Sequence, residues 1–517
     1  MKGLALLIAL IATVLLVPRL GHRQIIGSHE AVFPIVARDI VERGAWMDAQ
    51  LRGVPYRNKP PLYPWSIAAL SWPRGRVTET TAGIPVVAAA IGIVVALCLL
   101  GAQLFGRRAG AWAAIILLTS VVFFDQAVAT IPDLPMIFFH LVAGLALWSL
   151  ANGGGLRARL GFYVALTLAV FTKGIPGLLP LAVALVWLPL DGGRGALRRL
   201  VWAPGLVMFV VTTALWVVPY VMRDAHGGVG TAAWRDWLGA VGGLRPRALG
   251  LQTLSAVLGF LPWTLVLPVA LAAAWRARHA RAVAFALSWF SVQALVVFAM
   301  QQQRLRYLLP LLPGAALLVA WWLDREAAAV RARRGLAVVA VVAAVAGAAL
   351  VPFALHRWDI VLRAPSWAIG LVLLGTVTLG ALAAAGLWTG RLAPMVPAVA
   401  ALSAVLLFAG GWIVDDWENG AWDFRAAALE LGGVPRPLAV AALADDHELL
   451  QVDFYLGRPL APLRSPEAIA RHLRGAGAVV LETPSWRAAG AWLPLDPGGL
   501  RADPVVRGVL VVSDGRR

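Results

Sequence analysis

Four short segments of the 517-residue sequence concentrate side chains able to hold an anion or move a proton. In Gly27-Ser-His-Glu-Ala31, Glu30 is either a carboxylate that stabilises a helix start through the peptide dipoles or a general base held where membrane meets water. His29 beside it could hydrogen-bond a substrate, ligate a metal, or stand as a polar tip at an interface. In Tyr56-Arg-Asn-Lys-Pro-Pro-Leu-Tyr-Pro-Trp65, Pro60 and Pro61 remove two backbone donors and force an extended approach to the next helix. Lys59 is thereby presented on a stiff turn, where a cation suits a phosphate; the plain alternative is a lysine snorkelling beside an aromatic belt. Asp133, in Ile131-Pro-Asp-Leu-Pro135, and Lys173, in Phe171-Thr-Lys-Gly-Ile-Pro176, are expected at corresponding ends of two helices, where an ion pair would make each tolerable in low dielectric. In Gln303-Arg-Leu-Arg-Tyr-Leu-Leu-Pro310, Arg306 offers a planar fork for bidentate phosphate contact and Tyr307 a hydroxyl donor, unless both anchor a helix at the interface.

Other chemistries are poorly provided for. A divalent cation at His29, Glu30 and Asp133 would assist, but that ligand set is thin. The one cysteine, Cys98, lies in an apolar run, so neither a disulfide nor a cysteine metal cluster is available. No Gly-x-x-x-x-Gly-Lys-Ser/Thr loop is present, no Gly-x-Gly-x-x-Gly follows a soluble strand, and Gly-Ser-His-Glu is not a serine-nucleophile elbow. An ATP-driven pump and a hydrolase of the soluble kind are therefore not expected. Asp445-Asp-His447-Glu448 reads as a polar turn in preference to a metal site.

The elements that must position these residues are membrane helices. Sixty per cent of the residues are hydrophobic and only 14% charged, against about a quarter in soluble proteins. The apolar residues fall into blocks close to the roughly 20 residues that cross a hydrocarbon core. Spans are expected near 4–20, 82–104, 111–128, 134–150, 159–172, 175–190, 201–222, 256–275, 282–300, 307–323, 335–355, 367–388 and 394–414, about thirteen in all. Met1 to Leu20 resembles a signal peptide but lacks a small-x-small cleavage site, and is expected to remain as the first span.

The net charge of +18 is spread over short loops, at Arg107 and Arg108, Arg157 and Arg159, Arg194 to Arg199, Arg276 to Arg281 and Arg325 to Arg334. That distribution fits the positive-inside pattern and not a nucleic-acid face. With the N-terminus in the cytoplasm and an odd number of spans, Glu30, Lys59, Asp133, Lys173 and Arg306 share the outer face. A first outer loop, 21–81, is expected to carry an amphipathic helix over Glu30 to Arg43 lying on the membrane surface. From Asp415 hydropathy collapses, and 415–517 is expected to be a small extracytoplasmic α/β domain following a membrane domain over 1–414. Its strands are expected at Leu438 to Ala444, Ala478 to Glu482 and Val505 to Val512, with a helix at Pro466 to Leu473.

Taken in order, these segments resemble the polytopic glycosyltransferases of the GT-C class, in particular the bacterial branch with aminoarabinose transferases and protein-mannosyltransferase-like enzymes. The matching residues are Glu30-Ala, Ala37-Arg-Asp-Ile-Val-Glu-Arg-Gly44, Gly53-x-x-Tyr56-x-x-Lys-Pro-Pro-Leu-Tyr-x-Trp65, Leu104-Phe-Gly-Arg-Arg-Ala-Gly110, Asp133-Leu-Pro, Thr172-Lys-Gly, Gly259-Phe-Leu-Pro-Trp263 and Arg306-Tyr-Leu-Leu-Pro. They cover roughly residues 1 to 325, and the ordered set is far more specific than any single piece.

The resemblance implies transfer of a sugar from a polyprenyl-phosphate carrier to a lipid, glycan or protein acceptor at the outer membrane face. By position, Glu30 is the acidic residue acting on the acceptor, Lys59 the phosphate-contacting lysine, and Arg306 with Tyr307 further donor contacts. Asp133 and Lys173 match cavity-lining positions. Many members carry Asp-Glu where this chain has His29-Glu30, so either residue could serve as the base. The loop 223–255 also departs, with Trp234-Arg-Asp-Trp237 in place of the usual His and aromatic pattern. Expected partners are a polyprenyl-phosphate sugar and membrane lipids, with no nucleic acid. A secondary transporter, a lipid-linked polymer ligase and a non-catalytic membrane scaffold are the competing readings.

Overall fold

The computed structural model describes residues 1–222, 246–300, 304–325, 366–443 and 448–514, together with 334, 337 and 341. Helix α1 (Lys2–Leu16) packs Ile8, Ala12 and Leu16 inward and leaves Leu6, Leu7, Leu10 and Val14 exposed, as suits a span with one lipid-facing side. Helix α2 (Ser28–Arg43) departs from the surface helix expected over Glu30 to Arg43. Ala31 to Arg38 and Ile40 are all buried, because it is covered by the rest of the protein on more than one side.

A two-residue turn joins β1 (Gln50–Leu51) to β2 (Val54–Pro55), and α3 (Leu62–Ser71) follows the Lys59 turn. The bundle continues with α4 (Glu79–Phe105), α5 (Arg107–Leu118), a short α6 (Val121–Gln126), α7 (Asp133–Ala151), α8 (Gly155–Lys173), α9 (Leu179–Gly192) and α10 (Ala203–Met222). Beyond the undescribed stretch come α11 (Pro246–Gly259), α12 (Leu267–Arg276), α13 (Arg281–Ala299), α14 (Leu312–Arg325), α15 (Ser366–Thr389) and α16 (Leu392–Ala421).

Among the described residues seven helices are long and apolar enough to cross a membrane, or eight if a pair bent by 61° at Arg194–Leu200 and Ala203–Pro219 counts as one span. Thirteen spans are therefore not counted among the described residues. The apolar block 111–128 is broken where the Thr119 and Ser120 hydroxyls bond the carbonyls of Ile115 and Leu117, ending α5 before α6 restarts. The block 256–275 is divided between α11 and α12 by a turn around Pro262, and 307–323 opens with a 3₁₀ turn at Leu305–Leu308. Most of the block 335–355 lies outside the described residues, as do 223–245 with Trp234 to Trp237, and Asp445 to His447.

The final stretch pairs a five-stranded sheet with helices on both faces. β3 (Leu438–Ala441) and β5 (Ala478–Glu482) are parallel and central, flanked by parallel β4 (Ala461–Leu463) and by the antiparallel hairpin β6 (Arg501–Val506) and β7 (Val509–Ser513). Burial on both faces explains the continuous apolar runs of β3 and β5. Leu438, Val440, Ala478 and Val480 pack with α17 (Phe424–Gly432) and α18 (Leu450–Leu456), while Ala441, Val479 and Leu481 pack with α19 (Pro466–Arg474). The single strand expected over Val505 to Val512 is two strands, because Gly508, at φ +82°, supplies the left-handed turn between them.

Candidate active site

Antiparallel α7 and α8 bring the first residue of one to the last of the other. Lys173 Nζ lies 2.5 Å from Asp133 Oδ1, with side chains only 14% and 3% exposed. This is the expected ion pair, and it leaves neither charge alone in low dielectric. The Lys173 ammonium sits 5.4 Å from the centre of the Tyr307 ring, and the Arg306 guanidinium carbon 5.6 Å from the same ring. One phenol ring thus gathers two cations, each such contact contributing about 0.5–2 kcal/mol. Arg306 Nε is buried and makes no hydrogen bond to a described residue. A buried donor left in that condition costs about 1–3 kcal/mol, which an anion seated beside it would recover.

Glu30 stands in the first turn of α2 and is tied to this cluster by backbone. The Thr130 hydroxyl, three residues before Asp133, donates to the Glu30 carbonyl at 3.0 Å. Tyr63 of α3 is within electrostatic reach of both acids. Burial pushes its phenol well above the usual range, and the Glu30 and Asp133 carboxylates add to the effect. Arg23 grips the Glu30 carboxylate with both terminal nitrogens, at 2.7 and 3.2 Å, and donates through Nε to Glu418 at 3.1 Å. Burial alone would lower the Arg23 guanidinium; Glu30, with Glu418 and Asp125 behind it, outweighs that and holds it above the ordinary arginine range. Glu30 keeps spare acceptor sites, since a carboxylate offers about four lone-pair directions.

The other expected residues fall at the same end of the bundle. Lys59 is half-buried and donates to Asn58 Oδ1 at 3.3 Å. The helix it introduces, α3, meets α8 close to Lys173 through the edge-on contact of Trp65 with Phe171, centroids 6.3 Å apart. His29 is exposed. Among the described residues no three His, Cys, Asp or Glu side chains converge to hold a metal. Glu30 and Asp133 are each committed to a cation, so with His29 they do not assemble as a donor set for a divalent ion.

Several residues that build the site carry no obvious motif. Arg19 pairs bidentately with Asp415, both oxygens at 2.7 Å and both side chains buried, which locks the end of α1 to α16. The signal was charge complementarity: Arg19, His22 and Arg23 follow the first span, and Asp415, Asp416 and Glu418 close the last. Arg38 donates to the carbonyls of Asp453 and Phe454, satisfying the end of α18. Arg52 holds Asp453 with two bonds, at 2.6 and 3.1 Å. Burial pushes the Asp453 carboxyl up, and Arg52 opposes that. Arg52 occupies a left-handed conformation, φ +52°, that costs a non-glycine residue about 1–2 kcal/mol.

At the opposite end Arg281 and Arg199 converge on Asp191, Arg281 also bonds Asn152 and the Ala151 carbonyl, and Arg108 pairs with Asp324 at 3.5 Å. Among the described residues, the basic loops at Arg108, Arg199 and Arg281 therefore share one end of the bundle and the candidate site the other.

A family model described as dolichyl-phosphate-mannose-protein mannosyltransferase matches residues 58–218, which contain Lys59, Asp133 and Lys173. Curated relatives include undecaprenyl phosphate-alpha-4-amino-4-deoxy-L-arabinose arabinosyl transferases from Pectobacterium carotovorum, 26% identical over 63% of this chain and 60% of the relative, and from Yersinia enterocolitica, 26% identical over 62% and 59%. The chain thus matches about 60% of the length of these relatives. Among solved structures, ArnT from Cupriavidus metallidurans, bound to undecaprenyl phosphate, superposes with a TM-score of 0.78 at 19% identity, covering 99% of this chain and 98% of the other. The archaeal oligosaccharyltransferase AglB from Archaeoglobus fulgidus, in complex with an inhibitory peptide and a dolichol-phosphate, gives 0.52 at 11% identity, over 100% and 74%.

Proposed function

We propose, for a chain that belongs to the GT-C glycosyltransferases of the aminoarabinose-transferase and protein-mannosyltransferase family, that it transfers a sugar from a polyprenyl-phosphate donor to an acceptor at the outer face of the bacterial cytoplasmic membrane. The observation that carries this reading is Arg306, whose buried Nε is unbonded among described residues and whose neighbours are Tyr307 and the Asp133–Lys173 pair. That is a cationic cluster with one donor ready for an anion. The solved ArnT carries undecaprenyl phosphate and AglB dolichol-phosphate, which supports a lipid phosphate as that anion.

In the proposed step the acceptor oxygen attacks the anomeric carbon, the bond from that carbon to the phosphate oxygen breaks, and its electron pair leaves with the polyprenyl phosphate. Arg306, Tyr307 and Lys59 stabilise the departing charge, and Glu30, held by Arg23, takes the proton of an acceptor hydroxyl. His29 is too exposed to be favoured as the base. In this reading the N-terminus lies in the cytoplasm, and the α/β stretch that follows α16, from Phe424 onward, lies outside with the acceptor.

Purified protein is incubated with radiolabelled polyprenyl-phosphate sugars and membrane acceptors. Wild type transfers label; Glu30→Gln loses roughly a hundredfold or more in rate, within the range general-base removal produces. Undiminished transfer in Glu30→Gln and Lys59→Ala would remove these assignments. Solute uptake into sealed vesicles without sugar transfer would favour a transporter, against which stands the gathering of the described ion pairs at the ends of the bundle instead of its middle.

A further inference from the structure

Between the β1–β2 hairpin and strand β4 lies a cavity of about 170 Å³, walled by Arg52, Arg57 and Arg464 together with Tyr56, Asn58 and Pro462. Three guanidinium groups and no carboxylate appear among its described lining residues. Asp453, which neutralises Arg52, sits behind the wall with no exposure. The space would hold about five or six water molecules, and is well below the roughly 300 Å³ at which pockets begin to enclose whole drug-sized ligands. Its size suits a single small group, and its three guanidinium groups favour a charged one.

The wall is built with care at its most strained point. Arg52 and Gly53 form the two-residue turn with both φ angles positive, +52° and +77°, a pattern that favours Asn-Gly or Gly-Gly. Arginine in the first of these positions is held by its bidentate bond to Asp453, so the turn, and Arg57 five residues on, is fixed against the sheet that carries Arg464. Strain sustained by tertiary contact is characteristic of binding sites. Asn58, which lines the cavity, also accepts the hydrogen bond of Lys59, so the cavity adjoins the lysine proposed for the donor phosphate without containing it.

We propose that this arginine cavity is a second anion site, which holds a phosphate group of the acceptor while the donor phosphate occupies the Arg306 end of the cluster. Guanidinium forks pair with phosphate oxygens two at a time, giving orientation as well as attraction. Seated there, the acceptor would be registered against both the first outer loop and the C-terminal sheet. The acceptor assignment rests on the transferase reading; the existence of the anion site does not.

The full-length protein in phosphatidylcholine nanodiscs, saturated with undecaprenyl phosphate to fill the donor site, is titrated with inorganic phosphate in one arm. In the other it is reconstituted with added phosphatidic acid, and phosphorus NMR reports binding in both. The expected result is binding that falls tenfold or more in Arg57→Gln/Arg464→Gln, and by less in Arg464→Gln alone, the exposed strand-edge change least able to disturb folding. A response in either arm supports the site and tells whether its anion comes from solution or from a lipid headgroup. Equal binding by wild type and double variant overturns the proposal, and so does a parallel loss of undecaprenyl phosphate binding, which would return the arginines to the donor site. Intact binding at this cavity in a protein that transfers no sugar would refute the transferase reading and leave the site standing.

Discussion

Glu30, the proposed base, is held by a partner that stands outside the motif containing it. Arg23 engages both of its oxygens and also reaches Glu418, so the carboxylate is oriented and its charge balanced before any substrate arrives. Arg23→Ala should lower kcat for sugar transfer while Arg23→Lys recovers part of it, since an ammonium keeps the charge but loses the fork. Rates of Arg23→Ala/Glu30→Gln equal to those of Glu30→Gln alone would place the two residues in one unit; additive losses would separate them. The Asp133–Lys173 pair permits a sharper test. Removing one partner strands a buried charge, so Lys173→Met should destabilise by about 3–5 kcal/mol in thermal unfolding of the detergent-solubilised protein, and Asp133→Leu on that background should restore much of it. This pair was readable from sequence, because two lone charges at helix ends in apolar surroundings must find one another. Arg23 was not, because nothing local distinguishes it from a loop arginine until the acids at the end of α16 are set opposite it.

At the scale of elements, hydropathy located the helices but not their breaks. Apolar content is similar on both sides of Thr119 and Ser120, and what ends α5 is two side-chain hydroxyls competing for backbone carbonyls. The same limit applies to α2. Its spacing suggested a surface helix, but α3 on one side and α18 on the other bury it, since Arg38 reaches the carbonyls that end α18 and Ser28 bonds Gln451. Arg38→Met should therefore loosen α18 first. Amide exchange over residues 450–456 is expected to accelerate while that of α7 and α8 stays unchanged; uniform acceleration would show that Arg38 supports the whole fold instead of this junction.

Over the whole molecule, charge organises two ends. Arg199, Arg281 and Asp191 tie the basic loops together, whereas Arg19, Arg23, Asp415 and Glu418 knit the first and last helices beside the candidate site. The C-terminal sheet is fixed to that second end through Arg52, Arg38 and the Ile25 amide, which donates to the Tyr455 hydroxyl at 2.8 Å. If the basic end faces the cytoplasm, a cysteine at exposed Gly490 will react with a membrane-impermeant maleimide applied from outside, and one at His279 will not. Cys98 is buried and contributes little background. The reverse labelling pattern would invert the orientation.

Whether the Arg306 cluster receives a lipid phosphate is decided by a density map of the protein with bound undecaprenyl phosphate. Phosphate density is expected within hydrogen-bond distance of Arg306 Nε, with Tyr307 and Lys59 beside it, and is expected to be lost in Arg306→Ala. Phosphate seated among Arg199 and Arg281 at the other end of the bundle, or unchanged at its site in Arg306→Ala, would contradict it.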